Sequence, residues 1–339
     1  MSSTSRLNVG LIGVGRLGNV YAQNLATRMP ETRLVAVADT VPGLAEQVAQ
    51  EYGVPHWYTD PLALIQDKDV RGIVIVTPTH THRTLVVAAL ERGKPTFCEK
   101  PPALSLEETI AMRDAAVRTG VPLHIGFMRR FDPGYAAAKR QLHDGAIGTA
   151  VVFKSSSRDP YPPSVEYANP KSSGGLMLDM GIHDVDLARW FMGDVASVHA
   201  IGGTLVYPQL GEVGDIDNAV ISLRFKSGRL GVIDLSRNGI YGYDIATELL
   251  GTAGTLRIGY LRETPLLVMT ANSIAHDTVP YFMQRFEKAY LAQLRDFAAN
   301  VIADRAPSVT IEDGIKALTT CLAAARSYDT GREVEVVDV

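Results

Sequence analysis

The run Gly13-Val14-Gly15-Arg16-Leu17-Gly18 constrains this chain more than any other stretch. It follows a short apolar segment, Leu7 to Ile12, and opens NVYAQNLATRM, whose apolar residues recur at helical spacing. About twenty residues further on, RLVAVAD reads as a second buried strand that ends in an acid, Asp39. A glycine pattern alone says little. With a strand before it, a helix after it and an acid at the next strand end, it reads as a dinucleotide-binding turn. Gly13 permits the tight turn, Gly15 lets backbone approach a pyrophosphate, and Gly18 lets helix pack on strand; Arg16 and Leu17 lie in the same turn, where the helix N-terminus favours an anion. Asp39 is expected to accept hydrogen bonds from ribose hydroxyls and to repel a 2′-phosphate, which favours NAD over NADP.

The alternation continues. GLAEQVAQEYG reads as a helix closed by Gly53, VRGIVIVTP as a buried strand, HRTLVVAALERG as a helix closed by Gly93, and KPTFCEK as another strand. This is the rhythm of a doubly wound parallel sheet, a Rossmann-type α/β domain. Ligands sit at the carboxyl ends of such strands, which nominates Thr77, Pro78 and His82 in one loop and Glu99 and Lys100 in the next. Lys100 ends a core strand and precedes two prolines, so it is expected to be held in place and to donate to a substrate oxygen.

From Gly148 onward the pattern changes. TAVVFKSSSRD, ASVHAIGGTLV, NAVISLRFKSG, RLGVIDLSRNG, YDIATELLGT and TLRIG are strand-like runs joined by glycine-containing turns. They predict an α+β domain with an open, mainly antiparallel sheet, one face covered by helices and the other presenting apolar side chains such as Val220, Leu223 and Val232, depending on register. An uncovered apolar face is usually an assembly surface. In QRFEKAYLAQLRDFAANVIA, the residues Phe286, Tyr290, Leu294, Phe297 and Val301 fall at helical spacing and read as core. The 339 residues fit about two domains, placed here at 1–126 for the dinucleotide and 127–339 for substrate and assembly.

Asp179 and His183 lie four apart in LMLDMGIHDVDLARW, which predicts one helix face, one turn apart. A carboxylate beside an imidazole raises its proton affinity and fixes its orientation, the minimum for a general base. The same spacing also suits an ordinary solvated helix face. A metal reading of His80 and His82, or of Asp179, His183, Asp184 and Asp186, is rejected: Lys100 opposes a divalent ion, and no third histidine has zinc-like spacing.

Charge narrows the partners. A net charge of -4, with 33 basic residues interspersed among 37 acidic ones, argues against nucleic acid and anionic membrane surfaces. There is no signal-peptide pattern and no run of the ~20 apolar residues that a membrane span needs, so a cytoplasmic protein is expected. Two cysteines, Cys98 and Cys321, are too few for a disulfide framework.

In combination, GVGRLG after the first strand, Glu99-Lys100-Pro101, FMRRFDPGY from Phe127 to Tyr135, and Asp179 with His183 resemble the Gfo/Idh/MocA oxidoreductase family, from Leu7 to the C-terminal helices. The likeness is nearest to its inositol-oxidising members. It implies NAD-dependent oxidation of a cyclic polyol, myo-inositol to 2-keto-myo-inositol. Alternatives are a scyllo-inositol or glucose-type dehydrogenase of the same family, or a dinucleotide-binding regulator without turnover. It implies that Lys100 hydrogen-bonds the reacting hydroxyl, that His183 is the base and Asp179 its partner, and that Lys100-Pro101 is a candidate cis peptide. Arg129 and Tyr243 stand where polyol-contacting side chains are found, and Asp159 lies in a strand-end segment that reaches substrate. Read from the residues alone, Arg129 and Arg130 equally suit an ion-pair hub, and Asp159 a partner for Arg158. The resemblance further implies a homo-oligomer, tetramer or dimer, assembled through the C-terminal sheet.

Overall fold

The computed structural model describes residues 6–337. The chain divides into two compact units: one holds the chain up to Met128 together with Tyr290–Ile315, the other Arg129–Ala289 with the chain from Lys316 onward.

The first unit is built on a parallel sheet of β1 (Leu7–Ile12), β2 (Thr32–Ala38), β3 (His56–Tyr58), β4 (Gly72–Ile75), β5 (Thr96–Glu99) and β6 (Leu123–Gly126), in the order β3-β2-β1-β4-β5-β6. Its central strands are mostly apolar, as a sheet covered on both faces requires: Val9, Leu11, Ile12, Val37, Ile73, Val74 and Ile75 are all buried. The strand order reverses between β1 and β4, so the loops after these two neighbours flank a switch point. Residues 290–315 return to this unit, an addition that a single cut at 126 does not describe. Phe297 packs edge-on against Phe97 of β5 and His124 of β6, with centroids 6.0 and 5.0 Å apart, and Tyr290 packs on Tyr21 at 5.9 Å. The aromatics of this segment are core, as their spacing suggests.

The second unit is a mixed sheet of β7 (Ala150–Arg158), β8 (Val195–Gly203), β9 (Asn218–Phe225), β10 (Leu230–Ser236), β11 (Asp244–Gly251), β12 (Thr255–Ile258) and β15 (Val334–Glu335), ordered β12-β11-β7-β10-β9-β8-β15. Only the β7–β10 pair is parallel. A separate hairpin of β13 (Val268–Met269) and β14 (Ile274–Ala275) completes the strands. The helix Gly181–Met192 covers one face, packing on β7 and β10.

Register decides which of the apolar side chains form the outer face. Residues 220 and 223 differ by an odd number along β9, so they point to opposite sides. Leu223 faces the core with Ile221, paired opposite Gly231 and Ile233, whereas Val220 is 40% exposed. The outer face also carries polar pairs, Arg158 with Asp234 and Lys154 with Glu248, beside the exposed Ile201 and Leu230.

Candidate active site

In the first unit, each glycine of the turn has its own steric reason. Gly13 adopts φ +87°, and a Cβ there would lie 2.4 Å from the Val76 carbonyl oxygen. A Cβ on Gly18 would lie 2.0 Å from the Gly13 oxygen. Gly15 differs: nothing of the chain lies within 4 Å of where its Cβ would stand, at the start of the helix Arg16–Gln23. Packing demands two of the glycines, and the third opens a space that a pyrophosphate fits. Arg16 is exposed in the helix's first turn, next to the half-buried Leu17.

Asp39 closes the other side of this turn. Its Oδ2 accepts the Val14 N–H and its Oδ1 the Val41 N–H, both at 2.9 Å. The carboxylate therefore braces the glycine turn from the end of β2, where an adenosine ribose is bound in this class of sheet. The residues present fit a dinucleotide.

The loops after β4 and β5 are tied together by His82, which is 1% exposed. Its Nδ1 faces the Pro101 oxygen and its Nε2 the Thr77 oxygen, each at 2.9 Å. Burial draws the imidazole pKa down, and the carbonyls act against that. Both ring nitrogens face main-chain carbonyls, so His82, expected among the cofactor-binding residues, ties the two loops together. Thr77 itself bonds Thr81 through its hydroxyl at 2.6 Å and borders the glycine turn; Pro78, which follows it, is exposed.

Glu99 is likewise turned inward. Its Oε1 receives the Tyr21 hydroxyl and, at 3.3 Å, Gln293 Nε2, while Oε2 receives the Lys100 N–H at 3.0 Å. Burial pushes its carboxyl pKa up. A group so enclosed anchors the strand end. The Lys100-Pro101 peptide is cis, as the resemblance implied.

In the second unit, Asp179 and His183 do not share one continuous helix. Asp179 ends the short helix Gly175–Asp179, Met180 is the joint, and His183 lies in the first turn of Gly181–Met192. Gly181 sits at the joint because Leu235 presses on it: a Cβ there would come within 2.9 Å of the Leu235 side chain. Asp179 Oδ1 accepts the Tyr167 hydroxyl at 2.9 Å, and Arg237 stands 3.7 Å from Oδ2. The Asp179 charge drives the Tyr167 pKa well up. Arg237 is buried and also pairs with Asp215 at 2.7 Å, and Asp215 in turn accepts the Leu176 N–H at 2.9 Å. These partners were missed in the sequence. Arg237 was within reach of the strand-end reasoning applied to Lys100, since it directly follows β10.

Arg129 is 2% exposed, with NH1 bonded to Asp184 at 2.9 Å and to Ser157 at 3.1 Å. Arg130 grips Asp186 through two nitrogens, at 2.9 and 2.5 Å. The ion-pair-hub reading is the one these distances match, and the hub holds the helix of His183 at the adjacent residue. Tyr243 is buried beside Arg129, and desolvation lifts its pKa. Asp159 is half-buried at the end of β7, its main chain bonded to Ser236 and Gly239; Arg158 pairs with Asp234. Among the described residues, no group of three or more His, Cys, Asp or Glu is disposed to hold a metal ion, and no helix is long and apolar enough to cross a membrane.

A glycine turn at the switch point of a doubly wound sheet, braced by an acid at the next strand end, defines a dinucleotide-binding domain. Residues 7–127 match the model of the oxidoreductase family with an NAD-binding Rossmann fold, and residues 135–257 that of the GFO/IDH/MocA C-terminal domain. The chain belongs to the GFO/IDH/MocA family, and its cofactor is NAD. It is 40% identical to the scyllo-inositol 2-dehydrogenase (NAD(+)) of Bacillus subtilis over 98% of this chain and 96% of that protein. It is 38% identical to the myo-inositol 2-dehydrogenase of Thermotoga maritima over 98% and 99%. The crystal structure of scyllo-inositol dehydrogenase from Lactobacillus casei with bound NAD(H) and scyllo-inositol superimposes with a TM-score of 0.94 at 31% identity, covering 98% of this chain and 100% of that one.

Proposed function

We propose that the protein oxidises a secondary ring hydroxyl of an inositol to the ketone, myo-inositol to 2-keto-myo-inositol, with NAD. The observation that carries the chemistry is the Asp179 carboxylate, held by Tyr167 and Arg237 four residues ahead of His183. The substrate class rests on the full-length likeness to inositol dehydrogenases.

When bound, NAD supplies the hydride acceptor. His183 takes the hydroxyl proton, and Asp179 stabilises the charged imidazole. Lys100 stabilises the negative charge that develops on the substrate oxygen. Arg129, through Asp184, and Tyr243 beside it hold the His183 helix, and Asp159 is assigned to the ring hydroxyls. Gly13, Gly15, Arg16, Leu17, Gly18, Asp39, Thr77 and Pro78 form the cofactor side.

The outer face of the second sheet, with Ile201 60% exposed, is assigned to self-association as a tetramer, and the protein to the cytoplasm. Light scattering on Ile201→Asp tests the assembly: dissociation is expected, and an unchanged mass argues against this face.

A panel of myo-inositol, scyllo-inositol, glucose and related sugars with NAD and with NADP, followed at the reduced-nicotinamide absorbance, tests the activity. Reduction of NAD with myo-inositol is expected. Preference for scyllo-inositol moves the assignment to the other stereoisomer, and no reduction with any of them supports a regulator without turnover.

A further inference from the structure

His82 opens the helix His82–Glu91 and spans two main-chain segments that serve different parts of the reaction. On one side, Nδ1 meets the carbonyl of Pro101, the residue directly after Lys100. The main chain of Lys100 is already fixed on its other side, where its N–H donates to Glu99, itself held by Tyr21 and Gln293. The Pro101 carbonyl is thus the second fixed point of the Lys100 turn. On the other side, Nε2 meets the carbonyl of Thr77, whose methyl lies against Gly13: a Cβ on that glycine would stand 2.9 Å from it. The Thr77 segment is therefore packed on the glycine turn. A displacement there moves the cofactor side, and a displacement at Pro101 moves the lysine.

We propose that His82 is a positioning residue with two separable outputs: through Pro101 it sets the placement of Lys100, and through Thr77 it sets the loop that borders the NAD site. It touches neither ligand, being sealed at 1% exposure. The ring fills the gap between the two carbonyls in either protonation state; the imidazolium donates to both, the neutral ring to one. Positioning of this kind has large leverage, since an error of about 1 Å in a reacting group costs about a hundredfold in rate. The proposal rests on the reading of Lys100 given above.

The two outputs are separated by the two amide residues. An asparagine at this position places its amide nitrogen where Nδ1 stands, and a glutamine places its own near Nε2. His82→Asn thus keeps a polar contact to the Pro101 carbonyl and loses the one to Thr77, and His82→Gln does the reverse. The measurements are the dissociation constant for NAD by fluorescence titration, kcat with myo-inositol, and the melting temperature without NAD. His82→Asn is expected to keep kcat within about threefold of wild type while NAD binds about tenfold more weakly, and His82→Gln to keep NAD binding within about threefold while kcat falls at least about tenfold. Equal losses in both variants, no loss in either, or failure of both to fold overturns the proposal, because each makes the histidine a structural residue without separable outputs. Lys100→Met is run alongside. If it retains turnover, the catalytic reading of Lys100 fails, whatever the His82 variants do. If it loses turnover and the two His82 variants behave alike, only the positioning role fails.

Discussion

Arg237 and Asp215 form a buried ion pair, NH1 to Oδ2 at 2.7 Å, and the same guanidinium stands 3.7 Å from Asp179. One cation thus serves a structural acid and the acid proposed as the partner of His183. Asp215 spends its other oxygen on the Leu176 N–H, in the short helix that carries Asp179. Its carboxyl pKa is raised by burial, and Arg237 acts against that.

Removing Arg237 leaves Asp215 buried without its cation, which costs about 3–5 kcal/mol. Arg237→Met is expected to lower stability by that order in chemical denaturation. The double variant Arg237→Met, Asp215→Leu is expected to recover at least about 1 kcal/mol of it. Strict additivity in the cycle contradicts the pairing.

Gly15 and Gly18 separate function from fold. Gly15 has φ -64°, which alanine adopts, and its Cβ meets nothing in the chain. Gly15→Ala is expected to melt within about 2 °C of wild type without NAD and to bind NAD at least about tenfold more weakly. Gly18→Ala drives a methyl into the Gly13 carbonyl and is expected to lower the melting temperature itself. Equal NAD affinity in Gly15→Ala and wild type contradicts the placement of the pyrophosphate.

Burial lowers the pKa of His124, which lies edge-on to Phe297 inside the first unit, from 6.5 to about 4. The unfolded chain therefore binds this proton more readily than the folded one. The stability associated with the neutral ring is present above pH 6.5 and is lost as pH falls towards about 4, up to about 3 kcal/mol in all. His124→Leu is expected to flatten that part of the stability profile between pH 7 and pH 4. A variant whose stability falls as steeply as wild type rules this histidine out as the source.

The fold was legible wherever a strand is long or a face alternates. Leu7–Ile12 was read to the residue, and the six runs after Gly148 fall on β7 to β12 within a few positions. Two strands of the first sheet went unread. His56–Tyr58 is three residues, two of them exposed, and in Leu123–Gly126 the side chain of His124 interrupts the apolar run that made the equally short Gly72–Ile75 legible. The sequence leaves the side taken by Leu223 open, because apolarity alone does not give parity. At the site, the glycine turn and Asp39 were legible because their neighbours in sequence are their neighbours in space. The inward turn of His82 and Glu99 was not, since it depends on Pro101, Tyr21 and Gln293, up to 194 residues distant. Leu235, against which Gly181 packs beside the break at Met180, was out of reach for a similar reason: it comes from β10, more than fifty residues further on.

The central claim is that His183 is the base. Its most direct test is the turnover of His183→Ala with myo-inositol and NAD, measured beside the dissociation constant for NAD and the melting temperature. The account predicts a fall in kcat of about 10²- to 10⁴-fold, with NAD affinity and melting temperature close to wild type. Turnover near the wild-type value in a folded, NAD-binding variant contradicts it.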